Sequence, residues 1–168
     1  MPPTHTTNSA VFCAWIASIA GFTADGVGTQ LPPNDTLWSA HGFVVVPTTV
    51  GGSPHSVMPL RRPVAQVECR AVIPGSGVPP WGLAEDLAEQ IRFATYDRRS
   101  FGRPLDIVVN GVAYPSAQAL SAKMLTEPHR MYGDSADYAG VAFDLAMQWI
   151  QVGEVVQLWL PHRARQPS

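Results

Sequence analysis

Apolar and polar residues alternate most strictly between Pro63 and Ile73. Ala65, Val67, Cys69, Ala71 and Ile73 fall on one side, and Gln66, Glu68 and Arg70 on the other. A period of two predicts a strand with one buried and one polar face. The same period returns from Tyr138, where Val141, Phe143, Leu145, Met147 and Trp149 share a face and Asp144 and Gln148 take the other. Phe43 to Val50 is rich in β-branched residues. It reads as a strand, with Pro47 marking an edge or a bulge. Val27 to Leu31 reads as a short strand broken by Pro32-Pro33-Asn34-Asp35.

Two segments carry the helical period. Val11, Phe12, Trp15, Ile16 and Ile19 follow Asn8, a good N-cap, and precede Gly21, a good stop, so a helix is expected over Ser9 to Ala20. From Trp81 to Phe93, Leu83, Leu87 and Ile91 form an apolar stripe flanked by Ala84 and Ala88, while Glu85, Asp86, Glu89 and Gln90 form the wet side. Pro80 suits the first helical position, and acids early with Arg98 and Arg99 beyond the end suit the helix dipole. Asn110-Gly111 between Leu105–Val109 and Val112–Tyr114 is a type I′ hairpin signal, because both residues accept positive φ. Ala117 to Met124 is ambiguous, and Leu125 to Met131 reads as a strand ending near Pro128. Asp134 to Asp137 reads as a turn, and Val155 to Leu160 as either a further strand or an apolar tail docking on a neighbour.

The fold class expected is α+β: a small mixed, mainly antiparallel sheet packed against two helices, with long Pro/Gly-rich loops and an extra β-hairpin. A chain of 168 residues is one domain in the simplest reading, with residues 1–8 a loose arm and 161–168 a polar end. Charged residues are only 14%, against a usual share of about 25%. Low charge fits either a surface covered by partners or a large core. The 16 prolines are spread along the chain, which means ordered loops and edge strands in place of one flexible linker. A net charge of −2 gives no global attraction to nucleic acid. No segment reads as a signal peptide or a membrane span, since Val11 to Phe22 is too short and lacks a basic leader.

Candidate chemistry is sparse. The five histidines, His5, His41, His55, His129 and His162, show no ligand spacing with one another, and Cys13 and Cys69 form no metal motif. The cysteines read as buried reduced thiols, with a bridge between them left open. Cys69 sits mid-strand on an apolar face, a poor place for a nucleophile. Gly75-Ser76-Gly77 ahead of a helix suggests a phosphate cradle, but no Gly-Lys-Ser/Thr follows, and Pro79 and Pro80 remove donors. No catalytic, cofactor-binding or metal-binding residue is therefore assigned, and an enzyme is not expected. Arg98, Arg99 and Arg103 around Phe101, with Arg61 and Arg62 elsewhere, read either as nucleic-acid contacts or, preferably, as partners for acidic loops of a neighbouring subunit.

Taken together, the helix at the start, the strand closing in Val50-Gly51-Gly52, the strand Val64 to Ala71, the helix opening Trp81-Gly-Leu-Ala-Glu-Asp-Leu-Ala88, Glu127-Pro128-His129-Arg130 and the late strand Tyr138 to Leu145 resemble one family. They resemble the tail terminator (tail-completion) proteins of long-tailed bacteriophages, in particular those infecting actinobacteria, over roughly Ser9 to Val152. The stretch from Phe101 to Ala122 is longer than that family's pattern. The resemblance implies a structural virion protein with no cofactor, assembled in the host cytoplasm. It implies a ring homo-oligomer, commonly a hexamer, at the head-proximal end of the tail. Its partners would be the major tail tube protein and a head–tail connector or neck protein, with DNA met only by passage through the ring. A head-completion or neck adaptor protein is the alternative. Interface candidates are the aromatics Trp38, Trp81, Phe101 and Trp159 and the loop residues Gly51, Gly52, His55, Arg61, Arg62, Arg98, Arg99 and Arg103. Trp81 and Trp159 fit a core position equally well.

Overall fold

The computed structural model describes residues 1–49, 51–55, 57–133 and 136–152. Its elements in chain order are α1 (Asn8–Ala17), β1 (Val27–Gly28), β2 (Phe43–Thr49), β3 (Val64–Val72), α2 (Trp81–Tyr96), β4 (Pro104–Val109), β5 (Val112–Met124), β6 (His129–Met131) and β7 (Tyr138–Gln151). The class is α+β, as the patterns predict. Short 3-10 turns at Ala24–Gly26, Asp35–Leu37 and Arg98–Ser100 fill the connections.

The sheet runs β1-β2-β3-β7-β5-β4, with β6 also on β7; β1 and β2 are parallel and every other pair is antiparallel. β3 lines one edge of β7 from Tyr138 to Ala146. β5 takes the opposite edge from Leu145 to Gln151, and β6 the same edge at Gly140 to Ala142. Between them the chain steps out: Leu125 N–H donates to Asp144 O at 2.8 Å, and Asp144 N–H to Thr126 Oγ1 at 2.9 Å. The strand expected from Leu125 to Met131 is therefore only His129–Met131, because Pro128 supplies no ladder donor and lies before it. The ambiguous Ala117 to Met124 belongs to the thirteen-residue β5.

Both helices cover one face. α2 crosses β3, β7 and β5, while α1 touches β1 and β2 at one end of the sheet and β4 and β5 at the other. One short helix reaches both ends only because the sheet curls around it. The core joins Phe12, Trp15 and Ile16 of α1 to Leu87 and Ile91 of α2 and to Val67, Cys69, Phe143, Leu145, Met147 and Trp149 of the sheet. The two alternating strands face as their period predicts, except that Ile73 lies past the end of β3 and is exposed. On the other face, Phe43, Val45 and Val72 meet Trp38 and Tyr138 in a second, smaller cluster. β2 is apolar without alternation because both of its faces are covered.

Several local signals hold. Asn110 (φ 50°) and Gly111 (φ 76°) turn the β4–β5 hairpin, and the β2 register slips between Val45 and Thr48, across Pro47. Others do not. α1 spans Asn8–Ala17, not Ser9 to Ala20, and Thr7, not Asn8, is its cap. The Asn8 side chain is engaged elsewhere, accepting from Trp149 Nε1 at 3.0 Å. Pro80 stands before α2 as its cap position, and no acid lies in its first turn, so Glu85 and Asp86 sit too far along to complement the dipole. β1 is two residues, shorter than Val27 to Leu31. The first residues, expected to be loose, are tied down: Thr6 N–H donates to Gln151 Oε1 at 3.1 Å, Thr6 Oγ1 to Pro115 O, and Gln151 Nε2 to Thr4 O at 3.2 Å. The expected turn at Asp134–Asp137 lies partly, and the segment Val155 to Leu160 wholly, outside the described residues.

Three substitutions test this packing. Val67 is wholly buried, and Val67→Asp places a lone charge there, so a loss of about 3–5 kcal/mol and insoluble protein are expected. Gly42 (φ 75°) enters β2 where a Cβ would lie 2.6 Å from Leu87 Cδ1 and 2.9 Å from Arg70 O. Gly42→Ala is therefore expected to lower the thermal midpoint clearly, whereas Gly82→Ala, which meets nothing within 4 Å, is expected to raise it. Differential scanning fluorimetry reads both.

Candidate functional site

The β2–β3 loop protrudes and is braced at its base. Arg62 Nε donates to Ser53 O at 2.9 Å and its Nη2 to Pro54 O at 3.4 Å. Gly52 (φ 83°) lies so close to the Arg62 carbonyl that no Cβ fits. The ring of His55 accepts at Nδ1 from Val57 N–H (3.2 Å) and Met58 N–H (3.1 Å), so that nitrogen carries no proton here. These bonds leave Val57, 82% exposed, and Met58 turned toward solvent. Gly51, Gly52, Arg61 and Arg62, singled out from sequence, meet around a small cleft of about 130 Å³ with Asn8. Arg61 also forms a β-bridge to Trp149, and its guanidinium lies 5.8 Å from that ring's centre.

A second surface forms at the start of α2. Arg130 of β6 stacks 4.7 Å from the centre of the Trp81 ring and donates to Glu85 Oε1 at 2.9 Å. Tyr132 meets the edge of Trp81 with ring centres 6.0 Å apart and is itself 87% exposed. Trp81 packs against the core on one side and supports a surface aromatic on the other.

A third lies at the end of α2. Phe93 and Tyr96, 66% and 76% exposed, border a groove of about 760 Å³ with Ile19, Arg99 and Arg103. Arg103 Nη2 donates to Ser18 O at 3.2 Å, at the end of α1. Arg99 chelates Asp97 through Nε and Nη2, both at 3.1 Å. Those hydrogen bonds, with one from the Arg99 N–H, hold the Asp97 carboxyl below its ordinary range. Arg98 and Arg99 end in solvent. The charge here is mostly cationic, since Asp97 answers only Arg99.

Of the expected interface aromatics, Trp38 is buried and Phe101 is half-buried. Trp38 is buried in the second cluster, between Phe43 and Tyr138, and its Nε1 donates to Pro32 O at 3.4 Å. Tyr138 in turn donates to Asp35 at 2.8 Å, which raises its hydroxyl pKa. Phe101 stacks on Trp15 with centres 5.6 Å apart, while Trp15 Nε1 donates to Ser100 O at 2.9 Å. The Trp38 segment thus closes over the second cluster, and the Phe101 segment packs against α1. Trp159 lies outside the described residues. Phe93, Tyr96, Tyr132 and Val57 were not singled out from sequence. The i, i+3 spacing of Phe93 and Tyr96, opposite the Leu83-Leu87-Ile91 stripe, is the one signal that marks the helical pair.

The chemical candidates resolve simply. The Gly75-Ser76-Gly77 loop does cradle an anion, and it is the chain's own: Asp137 accepts from Gly75 N–H at 2.9 Å and Gly77 N–H at 2.7 Å. Both cysteines are free. Burial pushes the Cys13 thiol up to about 11 and pushes Cys69 up as well. Among the described residues, no three of His, Cys, Asp and Glu gather as metal ligands, and no helix is long and apolar enough to cross a membrane.

Two measurements follow from this geometry. Arg62→Ala removes the brace and is expected to raise protease cleavage within residues 51–59 several-fold while leaving the thermal midpoint nearly unchanged; equal cleavage would show that the loop orders without it. With a colorimetric disulfide reagent at pH 8, Cys13 is expected to react about a hundredfold more slowly than a free thiol, and Cys69 only when the protein unfolds.

No family model matches the chain, and no curated protein matches it. Among solved structures, it is similar to a chain described as "Virion of native gene transfer agent (GTA) particle". The identity is 11%, over 84% of this chain and 91% of that one, with a TM-score of 0.47.

Proposed function

We propose that this chain is a structural protein of a tailed-phage virion. It acts as a tail terminator, closing into a ring on the head-proximal end of the tail tube, stopping its growth and presenting the surface that meets the head. The sequence resemblance from Ser9 to Val152 suggests the role. The observation that carries it is the placement of exposed large apolar and aromatic side chains at three places on the surface. These are Val57 and Met58 of the β2–β3 loop, Tyr132 beside the half-buried Trp81, and Phe93 and Tyr96 of α2. Such side chains on ordered segments are what subunit contacts use.

Surfaces of different composition on different sides favour head-to-tail contacts over two-fold ones. A head-to-tail contact repeats, and it closes into a ring when its rotation divides the circle. The two ring faces then differ, so one can match the tube rim while the other refuses a further tube subunit. Ordered loops lose little entropy on docking, which suits a contact repeated at every subunit.

Native mass spectrometry and negative-stain imaging of the purified protein test the reading. Rings are expected, six subunits by analogy with the resembled family, and labelled protein is expected at one end of isolated tails. Label on isolated heads in place of tails would favour the neck adaptor. A strict monomer at tens of micromolar that labels no virion part would overturn the proposal. Phe93→Glu is expected to weaken ring formation at least tenfold with the thermal midpoint almost unmoved, because that ring is solvent-exposed in the monomer.

A further inference from the structure

One side chain closes the β2–β3 loop at its root and another at its tip. At the root, Arg62 donates to the Ser53 and Pro54 carbonyls. A guanidinium does not lose its charge in a protein, so that brace is constant with pH. At the tip, His55 makes three bonds. Its backbone N–H donates to Leu60 O at 3.2 Å, and its ring Nδ1 accepts from Val57 N–H at 3.2 Å and Met58 N–H at 3.1 Å. One ring nitrogen thus gathers the two residues whose apolar side chains the loop exposes.

An imidazole nitrogen accepts a hydrogen bond only while it carries no proton, and once both ring nitrogens are protonated the ring can only donate. Imidazoles take up that second proton between about pH 8 and 5. The charged groups about the loop offer such a cation no compensation. Residues 51–60 include no aspartate or glutamate. Arg61 and Arg62 are themselves cationic, and neither forms a salt bridge among the described residues. α1 reaches the loop root through Asn8 and β7 through Trp149, both uncharged. His5, three residues ahead of Asn8, is a further titratable group of the segment leading into α1.

We propose that His55 is a pH-sensitive latch on the β2–β3 loop. Toward the alkaline side of the imidazole range, Nδ1 is bare and holds Val57 and Met58. As the pH falls through that range, Nδ1 gains its proton, both bonds are lost, and the tip opens while Arg62 still grips the root. The fixed arrangement of Val57 and Met58 is thereby offered at neutral pH and withdrawn in acid. The latch works within a single subunit and needs no neighbouring copy, so it stands or falls apart from the ring reading.

The test is hydrogen–deuterium exchange of the full chain at about pH 7.5 and about pH 5, on either side of the imidazole range, with rates corrected for the intrinsic pH dependence of amide exchange. Protection of the Val57 and Met58 amides is expected to fall roughly fivefold in acid, as the loss of one hydrogen bond per amide implies, with the amides of β3 and β7 unchanged. In His55→Asn, the amide oxygen stands where Nδ1 does, can accept from the N–H two residues on, and does not titrate. That variant is expected to stay protected at both pH values, and His55→Ala at neither. His5→Asn is expected to respond to acid as the native chain does. Equal protection of the native chain at the two pH values, the same acid loss in His55→Asn, or a response abolished by His5→Asn would each overturn the latch.

Discussion

β7 is the constraint on which the rest of the fold depends. It alone among the described strands has three partners, β3 on one edge and β5 and β6 in succession on the other. Its inward side chains, Val141, Phe143, Leu145, Met147 and Trp149, form the middle of the core. A slip of one residue along β7 would turn all five to the other face and break every pairing at once. Trp149 adds a second lock. Its indole N–H holds Asn8 at the start of α1, and its backbone bridges Arg61 at the base of the β2–β3 loop. One residue thereby joins the first helix, the central strand and the root of a protrusion.

The curl of the sheet follows from that centre. With β3 and β5 fixed on either side of β7, the outer strands bend until β1, β2, β4 and β5 all touch α1. Closure is incomplete, because β1 is only two residues and, among the described residues, no strand bridges from it to β4. Curling also explains the low charge. The protein builds two apolar clusters, one on each side of the sheet, and still leaves large apolar side chains on its protrusions. A large core and an apolar surface are both present, where composition had offered them as alternatives.

Three connecting segments are braced in the same way, by hydrogen bonds between side chains and main-chain groups: the β2–β3 loop by Arg62 and His55, the loop before α2 by Asp137, and the turn after α2 by Asp97 on the Arg99 N–H. Such bonds restrict the segments within the single subunit, which lowers the entropy cost of any docking.

Features set by neighbouring residues were readable from the chain. The two alternating strands, the stripe of α2, the Asn110-Gly111 turn and the break at Pro47 each depend on side-chain period or on backbone torsion within a few residues. Features set by distant partners were not. Asn8 is a fair cap by type, yet it serves Trp149, and Thr7 caps in its place. Trp38 looked like an anchor for another subunit, yet it is buried against Tyr138, and Phe101 stacks on Trp15; both partners are far off in the sequence. The glycine loop lacked the local marks of a phosphate cradle, and only the fold shows that its N–H groups hold a carboxylate, that of Asp137, sixty residues on. Period and torsion act over a turn or two of chain, whereas a hydrogen-bond partner or a covering ring is assigned by whichever segment folding brings alongside.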